Sequence, residues 1–226
     1  MKRSKRYLEA KKLVDENKTY SFSEAIEILK SIPHVKFDET LELSGKLGVD
    51  PKQSEQIVRG SVVLPSGTGK EVKVLVFCES EKEKEAKEAG ADYIGNEETM
   101  DKILKQGWAD FDCCISTPSQ MKVVSKLGRF LGPRGLMPSP KTGTVTDKVS
   151  LAVSQAKRGK IDFRMDKLAC IHVGLGKLSF TKEALIENVK AFVDVLNASK
   201  PQSLKGEFIE SIYLTTTMGP SVRIAL

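Results

Sequence analysis

The chain has 226 residues, with 36 Lys and Arg against 30 Asp and Glu, a net charge of +6 and 40% hydrophobic residues. That length suits one large or two ordinary domains with a sizeable core, and no apolar run approaches the roughly 18 residues of a membrane span. The N-terminus MKRSKRYLEAKK lacks the apolar segment of a secretion signal, so a cytoplasmic protein without a membrane partner is expected.

In chain order, Lys5 to Val14 reads as a short basic helix. Ser21 to Glu24 forms a capping box for a helix carrying Ile26, Leu29 and Ile32 on one face and stopped by Pro33. From Thr40 to Asp50 the period becomes two: Leu41, Leu43, Leu47 and Val49 alternate with Thr40, Glu42, Ser44 and Lys46, the pattern of a half-buried strand with a polar outer face. Residues 56–64 read as a second strand, and PSGTGK at 65–70 is a turn-rich break.

Beyond the break, short apolar strands alternate with helices. Strands are expected at 72–77, 93–94 and 111–116, and helices from Ser80 to Ala89, from Glu97 to Gln106 and, capped by Thr117, to Leu127. This alternation predicts β-α-β units with helices on both faces of a mostly parallel sheet. The basic loop 127–146 leads to a helix over Asp147 to Arg158 capped by Thr146. The alternating style then returns, with a strand over 161–173, a helix from Lys182 to Ala198, and a C-terminal strand region from Phe208. The predicted fold is α/β with two domains: a discontinuous α+β sheet-and-helix domain, residues 1–66 and 160–226, interrupted by a Rossmann-like three-layer domain, residues 67–159. The N- and C-terminal pieces are expected to share one sheet.

The charge is unevenly spread within this plan. Residues 67–121 hold seven cations against twelve acids, whereas residues 122–159 hold eight against one. Basic concentrations attract phosphates, which makes nucleic acid the first partner class to weigh. The four cysteines, Cys78, Cys113, Cys114 and Cys170, lack metal-ligand spacing and read as buried reduced thiols. His34 and His172 have no ligand or triad partners in sequence, so no cofactor, metal or catalytic residue is expected. SGTGKE fails the phosphate-loop pattern, because Leu64 stands where a glycine and Glu71 where a Ser or Thr is required. A nucleotide-dependent enzyme built on the inserted domain remains the alternative from another class, and a protein-interaction module using the acidic stretch 79–98 is a third.

Ser211, Tyr213, Thr215 and Thr217 alternate with Ile212, Leu214, Thr216 and Met218 and run into Gly219-Pro220. Such a hydroxyl-lined face can bond phosphates and ribose 2′-OH groups, or it can simply be a good solvent-facing strand; pattern alone leaves both open. Arg129, Arg134 and Lys141 project from a Gly- and Pro-rich loop suited either to a rigid phosphate contact or to packing against the first domain.

At this loop the sequence acquires a resemblance. LGRFLGPRGLMPSPKTGTVT (127–146), FRMDK (163–167), GKLSF (176–180), KFDETLEL (36–43) and TTTMGP (215–220) resemble, in order and over essentially the whole chain, the bacterial large-subunit ribosomal protein number one family, the proteins of the mobile stalk beside the exit site. The resemblance implies a split first domain with a Rossmann-like insert, and a helical junction of large-subunit ribosomal RNA as partner. It further implies repression through the messenger RNA of its own operon, help in releasing transfer RNA from the exit site, and a monomer when free. Carried over by motif, the RNA surface falls on Lys36, Phe37, Thr40, Glu42, Ser44 and Lys46, and on Ser211, Thr215, Thr217, Met218 and Gly219. Arg164, Asp166 and Lys167 are weaker candidates. Gly174, where the family usually has proline, and Ser139, where it has asparagine, depart from the pattern.

Overall fold

The computed structural model describes residues 3–15, 18–204 and 206–225. Its elements are, in order, α1 (Lys5–Lys12), α2 (Phe22–Ser31), β1 (Thr40–Leu47), β2 (Arg59–Val63), β3 (Val74–Phe77), α3 (Glu83–Glu88), β4 (Tyr93–Ile94) and α4 (Glu97–Gln106). There follow β5 (Cys113–Ser116), α5 (Met121–Val124), α6 (Gly128–Leu131), α7 (Val149–Lys157), β6 (Lys160–Arg164), β7 (Cys170–Lys177), α8 (Lys182–Ala198), β8 (Ile209–Thr216) and β9 (Ser221–Ile224). Contacts divide this mixed α/β chain into two compact units, residues 1–69 with 162–226 and residues 70–161.

In the first unit an antiparallel sheet has the order β7-β1-β8-β9, so β1 from the N-terminal piece is flanked by strands from the C-terminal piece. Alternation dictates which face is buried: Leu41, Leu43 and Leu47 of β1, Ile212 and Leu214 of β8, and Leu175 of β7 are all at most 1% exposed. Helices α2 and α8 pack against this side of the sheet. The start of α2 is fixed by Ser21, whose hydroxyl accepts from the Glu24 amide while the Glu24 carboxylate accepts from the Ser21 amide. Thr181 caps α8 through the Ala184 amide, and the stripe Leu185, Val189, Phe192, Leu196 is fully buried. Asn188, also fully buried, accepts from the Ser66 amide and donates to the Gly67 and Leu175 carbonyls, tying the end of the N-terminal piece to α8 and β7.

The second unit is built on a parallel sheet of order β4-β3-β5. Because all four residues of β3 are buried, both of its faces need a cover. Val74, Val76 and Ile115 pack with Ala86 of α3 and Val149, Ala152, Val153 and Ala156 of α7. On the opposite face, Leu75, Phe77 and Cys114 pack with Ile103 of α4, Val124, Leu127 and Leu131.

Several local expectations are corrected. The strand expected over residues 56–64 is present but shorter, starting at Arg59: Gln56 ends a short turn in which its side chain accepts from the Asp50 amide and donates to Gln53, and β2 pairs with β6 in a separate two-stranded sheet. Residues 161–173 form two strands, because the Asp166 carboxylate accepts from the Leu168 and Cys170 amides, both at 2.8 Å, and closes a turn with Ala169 at φ 60°. Thr117 does not cap a helix; its hydroxyl meets that of Ser119, and α5 starts only at Met121. The region after Leu127 is not loop from the outset: Leu127 and Leu131, one helical turn apart, are both buried and hold α6 onto the core. Thr146 accepts from the Lys148 amide, so α7 begins at Val149 with no side-chain cap. Of the four thiols, Cys113 and Cys170 are only half-buried.

Candidate nucleic-acid interface

Strand register turns the polar side of the first unit's sheet into an ordered surface. Glu42 of β1 lies opposite Gly174 of β7 and Thr215 of β8, and Thr215 opposite Ser221 of β9. One step along, Ser44 lies between His172 and Tyr213, with Arg223 beyond. At the far end Lys46 lies between Cys170 and Ser211. The expected Thr40, Glu42, Ser44, Lys46, Ser211 and Thr215 are therefore brought together on one face. Tyr213, already read from the alternation as part of the hydroxyl-lined strand, joins it, and His172, Ser221 and Arg223, which were not among the candidates drawn from sequence, complete it. Their signal was present in the alternation of CIHV and SVRI, but only register shows which side of which neighbour they join.

The face is polar without being strongly cationic. The Ser44 hydroxyl is 3.0 Å from His172 Nδ1. Lys46 pairs with Glu210 at 2.7 Å, and the Glu210 carboxylate holds the Lys46 ammonium above its ordinary pKa. Lys177 donates to the Thr40 hydroxyl at 3.0 Å.

One end of the face is rimmed by two loops. The turn between β8 and β9 carries Thr217, Met218 and Gly219; the segment before β1 carries Lys36 and Phe37. They are stitched together: the Thr40 amide donates to the Thr217 hydroxyl at 3.0 Å, and the Met218 amide to Glu39 Oε2 at 3.1 Å. Phe37 and Met218 are each 51% exposed, large apolar groups offered to solvent beside exposed Lys36. Phe37, Lys30, His34 and Ser179 line a small cleft with Glu39 at its inner wall. Burial pushes the Glu39 carboxyl up, but the nearby Thr216 hydroxyl and the Met218 and Val35 amides outweigh it, so the group stays ionised below the ordinary carboxylate range.

At the opposite end, roughly 20 Å away along β1 at 3.3 Å per residue, stands the turn after β6. Asp166 serves the fold there: the Cys170 and Leu168 amides hold its carboxyl below the ordinary range. Arg164 and Lys167 are exposed beside a shallow cleft with Pro51 and Ile57, and Leu168 at the tip is 75% exposed.

Arg129, Arg134 and Lys141 belong to the second unit and are not part of this sheet. All three are exposed; Arg134 donates to the Gly107 carbonyl at the end of α4. Elsewhere in the second unit, by contrast, Lys70, Lys73, Lys82 and Lys105 are paired with Asp112, Asp110, Asp147 and Asp101. Among the described residues, no group of three or more His, Cys, Asp or Glu is placed to hold a metal ion, and no helix is long and apolar enough to cross a membrane.

Fold and surface together define a mixed α/β protein whose first unit presents a broad polar face with an apolar and cationic rim. The family model described as "Ribosomal protein L1p/L10e family" matches residues 28–220. The chain is 53% identical to the large ribosomal subunit protein uL1 of Persephonella marina (strain DSM 14350 / EX-H1), over 99% of this chain and 93% of that protein. The chain belongs to the ribosomal protein L1p/L10e family, whose members are structural ribosomal proteins and not enzymes, which sets aside a nucleotide-dependent enzyme.

Proposed function

We propose that this chain is a constituent of the large ribosomal subunit that grips a folded junction of large-subunit ribosomal RNA with the polar face of its first unit. The observation that carries the reading is the register that sets Glu42, Ser44, Lys46, Ser211, Tyr213 and Thr215 in adjacent rows beside the Thr217–Gly219 turn. Hydroxyls, an imidazole and a carboxylate on a rigid sheet suit the 2′-OH groups and base edges of a shallow RNA minor groove. Phe37 and Met218 supply apolar contact to ribose or base faces. Arg164 and Lys167 extend the footprint at the far end; Asp166 contributes by shaping their turn.

In this reading residues 1–66 with 160–226 form the RNA-binding domain, and residues 67–159 form a Rossmann-like insert whose Arg129, Arg134 and Lys141 make secondary phosphate contacts. The same face takes the messenger RNA of the protein's own operon in place of the ribosomal junction, which makes the free monomer a translational repressor. On the ribosome it assists release of transfer RNA from the exit site. The test is binding of the ribosomal junction and of the operon leader to Thr217→Val and Met218→Ala. Both RNAs are expected to lose about tenfold in affinity, roughly 1.4 kcal/mol, at unchanged melting temperature in Met218→Ala and at a slightly lowered one in Thr217→Val, which also deprives the Thr40 amide of its acceptor. Wild-type affinity in both variants sinks the reading, and loss with one RNA alone sinks the shared site.

A further inference from the structure

The two loops at the rim are held by residues that do not belong to the face. Arg6, half-buried on α1, donates from Nη1 to the Pro33 carbonyl and from Nη2 to the Met218 carbonyl, both at 2.8 Å. Glu39 is 1% exposed and accepts from the Met218 amide at Oε2 (3.1 Å) and from the Val35 amide at Oε1 (3.3 Å). Met218 is thus held at both its backbone polar groups, and each holder also reaches the segment that carries Lys36 and Phe37. We propose that Arg6 and Glu39 form a clamp of positioning residues, which sets the Lys36–Phe37 and Thr217–Gly219 loops in their binding arrangement before RNA arrives. The inference rests on the RNA-binding reading above.

Charge and geometry separate positioning from contact. Glu39 is buried beneath the rim, and an anion there repels a polyanion, so direct electrostatics makes it a liability. What it supplies is two acceptors aimed at two amides on different loops, a task that the single acceptor oxygen of a glutamine cannot perform in full. Arg6 presents a planar fork whose donors are already directed at two carbonyls on those same loops. With the clamp removed, the loops sample other arrangements. Apparent affinity then falls by the competent fraction, and the fall is carried by slower association.

The test uses the full-length chain and a helical-junction fragment of large-subunit ribosomal RNA, with Arg6→Gln, Glu39→Gln and, as references, Met218→Ala and Thr217→Val. Arg6→Gln is expected to lower affinity by about tenfold through loss of charge-assisted hydrogen bonds, with dissociation unchanged within about twofold. The slope of log affinity against log salt is expected to stay at the wild-type value. A slope smaller by about 0.7 to 0.9 shows that Arg6 neutralises a phosphate and overturns the clamp. Glu39→Gln deletes a negative charge beside RNA, so bare electrostatics predicts tighter binding; the clamp predicts weaker binding. Tighter or unchanged binding in a folded Glu39→Gln protein refutes its role. Arg6 sits near the surface, so its variant decides the proposal even where Glu39→Gln does not fold. Wild-type affinity in both Met218→Ala and Thr217→Val removes the RNA-binding reading itself, whereas a weakened Met218→Ala beside an unaffected Arg6→Gln removes only the clamp.

Discussion

Gly219→Ala tests how tightly the rim is built. Gly219 does not occupy the left-handed region, so its backbone accepts alanine and the effect is purely steric. A Cβ there would lie 2.3 Å from the Thr216 hydroxyl and 3.1 Å from Ile32 Cδ1, and both of those residues are buried. Relief requires a shift of the turn or of a packed side chain, which costs about 1–3 kcal/mol, or roughly 2–4 °C in melting temperature per kcal/mol for a chain of this size. Thr216→Ala loses a methyl, about 0.8 kcal/mol, and the hydroxyl that helps hold the Glu39 carboxyl ionised, and is expected to be modestly destabilising on its own. In Gly219→Ala/Thr216→Ala the nearest obstacle on Thr216 becomes its Cβ at 3.5 Å, an ordinary contact. Urea unfolding of the four proteins is expected to show at least about 1 kcal/mol of favourable coupling, and RNA affinity should fall in the single Gly219→Ala variant and recover in the double. Additive costs would show that the turn is loose enough to absorb a methyl group, and the preorganised rim would fall with that result.

Asn188→Ala leaves one amide and two carbonyls without their buried partner, an expected loss of about 3 kcal/mol or more in urea unfolding; a change under about 1 kcal/mol would mean that other groups satisfy them. The Glu39 carboxyl is held below its ordinary value of 4.5, so its contribution is complete above that value and is lost as pH falls through the depressed folded value. Melting temperature should decline in that acid window, and less steeply in Glu39→Gln; identical profiles would remove Glu39 from the acid response. Residues 1–66 joined directly to 160–226 are expected to melt cooperatively and retain binding of the ribosomal junction, so a folded but non-binding product would place the site elsewhere. RNA affinity should depend on salt with a slope corresponding to fewer than about ten phosphates, and a steeper slope would favour a polycationic binder.

Where one physical rule dominated, the sequence was readable. Period-two alternation placed β1 and its outward Thr40, Glu42, Ser44 and Lys46, because a one-residue slip would put Leu41 and Leu43 in water. The capping box at Ser21 located the start of α2 because two reciprocal hydrogen bonds must form there. Register between β1 and its C-terminal partners was not readable, since it pairs strands more than 120 residues apart, and with it went the placement of His172 beside Ser44. α6 was hidden because the Gly and Pro residues of GPRG outweighed the Leu127/Leu131 spacing. Glu39 shows a signal that was present and unused. The parity that sends Thr40 and Glu42 outward sends residue 39 inward with Leu41, so a charged residue at 39 must find partners inside.

That parity explains how a modest excess of charge suits this surface. Each outward position of β1 is matched across the ladder by a small or polar group, and Lys46 is answered by Glu210 on β8. Lys70, Lys73, Lys82 and Lys105 of the second unit are likewise paired with acids. Attraction at long range is therefore limited, and discrimination must come from shape: which hydroxyls stand at which strand spacing, and where Phe37 and Met218 project at the rim. Shape can discriminate only if it is fixed before contact. The rim satisfies that condition through groups that never face the ligand, a buried acid beneath the turn and an arginine behind it. On the proposed RNA-binding reading, the residues that decide affinity are then not confined to those that touch RNA.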